Sequence, residues 1–254
     1  MIKLSHIPFI LVLLGLGVPS YAQVQGINQR DEQGRRHGQW KKTYSSGKLR
    51  YQGQFKHGLP ADTFRHYFDN GQLRTLNVFR GRSGNCMSYQ YGEDKLLAGM
   101  GLYRDKKKDS VWTFFDRDSN LVARESYERG QRQGPSKKYF ENGQLAEITH
   151  YEKDQKEGPW KQFYRDGTPK SKAHYRAGKL RGEAIFFHPN GRPRLKGKYV
   201  AGKMHGIWYF FTRKGKIEKK QRWRYGFKVA LDGSKQTPAD SVKDTSTVAP
   251  MPHW

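Results

Sequence analysis

Hydrophobic residues recur in this chain at a spacing far longer than the period of a helix or a strand. With Trp40 as an anchor, steps of 24 residues reach Phe64, Ser88, Trp112, Ser136, Trp160, Ala184 and Trp208, so four of the six tryptophans share one register. Fifteen residues after each anchor stand Phe55, Phe79, Tyr103, Tyr127, Tyr151, Tyr175, Tyr199 and Trp223, all of them aromatic. Nine residues after it the column reads Leu49, Leu73, Leu97, Leu121, Leu145, Pro169, Pro193 and Ile217. Seven after it are six glycines, with Lys95 and Ser119 as exceptions, and two before it are Gly38, Gly134, Gly158, Gly182 and Gly206. No insertion or deletion breaks the register. Each copy is therefore one structural unit that stacks on its neighbours with a fixed geometry.

Within a unit the pattern predicts a β-hairpin. Asn70-Gly71, Asn142-Gly143, Asp166-Gly167 and Asn190-Gly191 sit between runs rich in aromatic and aliphatic residues. Such pairs favour the two-residue turn in which both residues take positive φ. A turn centred there sets Tyr44, Phe68, Phe140 and Tyr164 opposite the leucine column, on the same face as the anchor. The residue three after the anchor points to the other face, yet Tyr67, Tyr91, Phe115, Tyr139, Phe163, Phe187 and Phe211 make it aromatic in seven units of eight. A rolled or stacked sheet, or a bulge near this column, fits that better than a flat one-sided sheet. A second turn, with Gly58, Gly130, Gly178, Gly202 and Gly226, joins successive hairpins. Residues 88–109 form the most divergent copy, lacking that glycine and carrying Lys106-Lys107-Lys108. The expected fold is all-β: an elongated antiparallel β-hairpin repeat array of eight 24-residue units over residues 38–229. At two strand spacings per hairpin it would be about 75 Å long.

The flanks differ from the array. Residues 1–22 predict a cleavable signal peptide, with Lys3 before an apolar stretch at 7–18 and Ser20-Tyr21-Ala22 before the cleavage point. Residues 23–37 form a polar lead-in with a half-unit near Gly34, and the tail at 230–254, rich in Ser, Thr, Pro, Asp and Lys, is expected to be disordered.

Composition sharpens the picture. Only 35% of residues are hydrophobic while 14% are aromatic, so aromatic rings must supply most of the core. Cys86 is the only cysteine, which excludes an internal disulfide and reads as an ordinary half-buried residue. The net charge of +25 favours anionic partners, phospholipid head groups and cell-surface polymers ahead of nucleic acid.

Catalytic chemistry is absent from the pattern. There is no Gly-x-Ser-x-Gly, P-loop or His-Glu-x-x-His. His150 and His174 lie one unit apart, about 10 Å, too far to share a metal. Asp116 and Asp118 read as turn formers, and a carbohydrate-active enzyme would need paired carboxylates that the chain does not offer. No catalytic, metal-binding or cofactor-binding residue is expected. Sixteen residues after the anchor, Lys56, Arg80, Arg104, Arg176 and Arg224 form a basic column along one edge, interrupted by Glu128 and Glu152. That column reads either as a binding surface or as a charged edge that discourages aggregation.

The unit, Gly-x-Trp-x-x-Phe/Tyr-Tyr-x-x-Asn/Asp-Gly-x-Leu followed by a Gly-Lys-x-x-Gly turn, resembles the variant form of the MORN repeat. Residues 158–167 and 202–208 carry the clearest likeness, and it extends over about residues 34–228. The resemblance implies a β-hairpin scaffold without catalytic residues. Related bacterial proteins are labelled antitoxin components, and others are described as membrane-associated or protein-binding scaffolds. An export signal and a strongly basic surface both depart from the antitoxin pattern. The expectation is a non-catalytic scaffold, exported to the periplasm or secreted, that binds a protein or an anionic envelope surface. The alternative is an immunity-type protein that neutralises a toxin.

Overall fold

A computed structural model describes residues 26–81 and 84–231. The expected signal peptide at residues 1–22 and the tail beyond residue 231 lie outside the described residues. The chain forms one open antiparallel sheet of consecutive hairpins, with eighteen strands among the described residues, from Gly38–Thr43 to Phe227–Val229. Strands pair with their neighbours in sequence, except that Lys179–Leu180 and Gly182–Phe187 both pair with Pro169–Arg176. The array is therefore all-β, as the repeat predicts.

The turns are distributed differently from the expectation. In the unit around Trp160, the Tyr164 N–H donates to the Thr168 carbonyl at 2.8 Å and the Gly167 N–H to the Tyr164 carbonyl at 3.0 Å. This is a type I turn closed by a glycine bulge, a three-residue loop. Gly167 has φ +85° whereas Asp166 stays on the ordinary side, its carboxylate accepting the Thr168 N–H at 2.8 Å. Asp and Asn are favoured here because they cap the turn, not because they adopt left-handed backbone. The two-residue turn with both φ positive belongs to the junction between hairpins, as at Ala177 (φ 48°) and Gly178 (φ 75°).

The longer loop shifts the register by one. Phe163, not Tyr164, faces Pro169 across the ladder, and Tyr67, not Phe68, faces Leu73. The expected pairing of the column four after the anchor is therefore corrected. Tyr164 leaves the ladder and its hydroxyl donates to the Phe187 carbonyl of the next unit at 2.7 Å, as Tyr44 does to Tyr67. The register break between Gln162 and Phe163 is the bulge that accounts for aromatics on both faces.

A second irregularity explains the glycine two before the anchor. Thr149 pairs with Trp160 and Tyr151 with Lys156, so residues 157–159 face His150 alone. Gly158 sits in this bulge at φ 86°, and Asp62 and Ser110 take the same conformation without glycine, at φ 55° and 61°.

The core is a ridge of rings on one face. Aromatic anchors pack edge-on against the ring fifteen after the preceding anchor, as in Phe55–Phe64, Tyr103–Trp112 and Tyr199–Trp208, each with centroids 5.0 Å apart. From Phe64 onward large and small anchors alternate: Phe64, Ser88, Trp112, Ser136, Trp160, Ala184, Trp208. All seven are buried. A large ring also spreads over the preceding strand, where Gly53, Gly101 and Gly197 leave room; a Cβ on them would lie 2.3, 2.4 and 2.1 Å from the rings of Phe64, Trp112 and Trp208. The divergent third copy pairs Phe79 with Cys86 without the bulge of the other units, and at its far end Asp105 and Lys106 make the junction turn without glycine, at φ 49° and 63°. Cys86 is more enclosed than expected, 5% exposed, and burial pushes its thiol up to about 11.

Candidate functional site

All junction turns lie at one end of the strands and all glycine-bulge turns at the other, because every unit has the same length. The junction turns are tied together: the Gly178 N–H donates to the Lys156 carbonyl at 2.9 Å and the Gly202 N–H to the Leu180 carbonyl at 2.8 Å. They therefore form a hydrogen-bonded edge along these units. On it the structure places the predicted basic residues. Lys56, Arg104, Arg176 and Arg224 end their strands, Arg80 directly follows Leu73–Phe79, and all five are exposed.

The edge holds further cations beside the predicted column. Lys107, Lys179 and Lys203 follow the junction turns and are exposed. Arg104 faces Lys107 across the ladder, and Arg176 faces Lys179. Like charges directly opposite each other in a hairpin weaken it. Arg104 has partial compensation from Asp109, 3.7 Å away. For Lys179 and Lys203 the signal was the Gly-Lys step of the junction turn, and Lys107 lies in the Lys106-Lys107-Lys108 run; their facing partners required the register. Midway along, Glu128 faces Gln131 and Glu152 faces Gln155, although the exposed turn residues Arg129 and Lys153 keep cations on the edge there.

Other sequence candidates resolve into structural roles. Asp116 accepts the N–H groups of Asp118 and Asn120 at 3.0 and 2.8 Å and forms its turn. His150 bonds the Pro159 carbonyl at 3.0 Å, at the bulge, while Pro159 pairs with His174 on the next strand. A cluster missed by the repeat analysis joins the lead-in to the first junction turn: Asp31, His37 and His57 offer ligand atoms within 4.8 Å of one another. The Arg35 guanidinium bonds both Asp31 (2.9 Å) and His57 (3.1 Å) there, so these groups form an ion-pair network. The cluster escaped notice because it mixes a non-repeating segment with a repeat.

Comparison with known proteins bears on the unit itself. The MORN repeat variant matches residues 36–57, 132–153 and 156–177, each segment running from four residues before an anchor to seventeen after it. That is one hairpin bounded by its junction turns. Solved structures that resemble the chain include the crystal structure of TcdB2-TccC3, at 13% identity and a TM-score of 0.22, covering 75% of this chain and 13% of that one. The crystal structure of TcdB2-TccC3-Cdc42 gives 14% identity and a TM-score of 0.22, covering 77% and 13%. The chain thus spans about an eighth of those chains. Among curated proteins none matches. The matched segments coincide with hairpin units of the sheet, and these three units match the MORN repeat variant.

Proposed function

We propose that the protein is a non-catalytic, exported scaffold whose junction-turn edge binds an anionic envelope surface. The observation that carries this reading is the pair of like-charged cross-strand contacts, Arg104 with Lys107 and Arg176 with Lys179, on that edge. Such contacts cost stability, and an opposing anionic surface removes the cost. Lys56, Arg80 and Arg224 extend the charge along the same edge at multiples of one unit. Export rests on the N-terminal sequence.

Each cation near an anionic membrane contributes about 1 kcal/mol, so reversing two should weaken association more than tenfold. Vesicles of phosphatidylglycerol and phosphatidylcholine provide the test. Arg80→Glu with Arg104→Glu should abolish cosedimentation at low salt and leave the melting temperature nearly unchanged. Lys235→Glu with Lys243→Glu makes the same change of charge in the tail. Equal losses from both pairs would mean that net charge alone acts, and no loss from either would reject the edge as a binding surface.

A further inference from the structure

At the opposite ends of the same strands lies a second charged feature of different chemistry. A cleft of about 430 Å³ crosses the first three units, lined by ten residues none of which is acidic. Arg50 and Arg74 occupy equivalent positions in adjacent units, and both are exposed. Their guanidinium groups lie over Tyr44 and Phe68, at 5.6 and 5.7 Å, rather than on a carboxylate. Between them stands His66, one strand from each. Burial lowers the His66 pKa, and the charges of Arg74 and Arg50 lower it further, so its ring is neutral at pH 7.

The floor of the cleft is polar without need. Asn77 and Ser88 face each other across the ladder, Ser88 is 0% exposed, and neither Asn77 Oδ1 nor Ser88 Oγ has a hydrogen-bond partner. An unpaired buried polar group costs about 1–3 kcal/mol. The repeat itself shows that the fold does not require it: four units later the equivalent positions are Ala173 and Ala184, which pack in the apolar core. Gln90, whose amide donates to the Tyr103 hydroxyl at 3.2 Å, completes the wall.

We propose that this cleft binds an acidic sugar unit of the hexuronate type, its carboxylate between Arg50 and Arg74 and its hydroxyls on Asn77 and Gln90. Two planar guanidinium groups without acidic partners select a carboxylate or another oxyanion. A bare oxyanion offers no donor, however, and Asn77 Oδ1 is an acceptor; a sugar hydroxyl supplies the donor while its ring covers the tyrosine rim. The site is about 20 Å from the junction-turn edge, six residues along the strand from Arg50 to Lys56, and does not rest on that edge's role.

The test is calorimetric titration of the full chain with hexagalacturonate, with its fully methyl-esterified form, and with inorganic phosphate. The acid should bind at least tenfold more tightly than the ester, which keeps the hydroxyls and lacks the charge. Arg50→Gln with Arg74→Gln should weaken the acid at least tenfold without moving the melting temperature, because both side chains are exposed. Asn77→Leu should weaken hexagalacturonate but not phosphate. Equal binding of ester and acid, or equal affinity for phosphate, overturns the assignment of a hexuronate. An equal loss from Arg176→Gln with Arg224→Gln at the other edge reduces the effect to net charge and overturns the site, as does absence of binding by the unaltered protein.

Discussion

Seven residues after every anchor the backbone is left-handed, in glycine six times and at Lys95 (φ 69°) and Ser119 (φ 63°) without it. Left-handed backbone costs a residue with a Cβ about 1–2 kcal/mol, part of which glycine returns as chain entropy. Ser119→Gly should therefore stabilise the fold by about 0.5–1 kcal/mol. The converse change separates two kinds of glycine. At Gly167 an added Cβ meets no atom within 4 Å, so Gly167→Ala should cost only the backbone term, about 1 kcal/mol. At Gly197 it would stand 2.1 Å from the Trp208 ring, and Gly197→Ala should cost about 2–3 kcal/mol as the ring is displaced. Urea denaturation of the three variants gives the order directly; a Gly197→Ala midpoint at or above that of Gly167→Ala would contradict the packing of ring on glycine.

Single hairpins are held to one another by polar contacts where the rings leave space. Around Ser136, a small anchor, Glu147 is half-buried and joins neighbouring strands. Burial raises its carboxyl pKa, but donation from Gln162 Nε2 (2.8 Å) and Thr149 Oγ1 (2.9 Å), with Lys138 Nζ 4.0 Å away, outweighs that and holds it below the usual range. A carboxyl lowered on folding stabilises the protein above its unfolded pKa, and the contribution is lost as the pH falls through the folded value. Glu147→Gln should cost about 1–3 kcal/mol at pH 7. The gap between the variant and its parent should narrow at pH 3, and urea midpoints at the two pH values measure it. A gap that is constant with pH would assign the loss to packing rather than to charge.

A sheet of stacked hairpins has two ends, and each presents unpaired backbone. At the first end the lead-in covers the strand Gly38–Thr43: the Asn28 N–H donates to the Gln39 carbonyl and Asn28 Oδ1 accepts the Lys41 N–H, both at 2.8 Å. The Arg36 guanidinium lies 4.9 Å from the Trp40 ring and 5.2 Å from that of Phe55. Residues 26–37 thus serve as a cap of the kind that repeat arrays require. Their removal should bare Trp40 and a flat strand edge, and edge-to-edge association follows from such exposure. Light scattering coupled to size exclusion should show concentration-dependent oligomers for the shortened chain. A monomer as stable as the parent would show that the lead-in is dispensable.

The sequence by itself determined the repeat, its hairpin content and its aromatic core, because a 24-residue period without gaps can be satisfied only by identical stacked units. It also placed the cations of the junction-turn edge, since equal unit lengths bring equivalent residues to the same end. The register was decided by tertiary structure. Asn-Gly and Asp-Gly are compatible with either a two-residue turn or a type I turn with a glycine bulge, and the pairing of Phe163 with Pro169 is that of the second. The facing of Arg104 with Lys107 is likewise a cross-strand fact, and no local pattern contains it. The alternation of large and small anchors was visible in the letters, but its reason was not. One ring spreads over two strands, so from Phe64 onward small anchors alternate with large ones and the residue beneath the ring is often glycine; that relation exists only once strands far apart in sequence lie side by side.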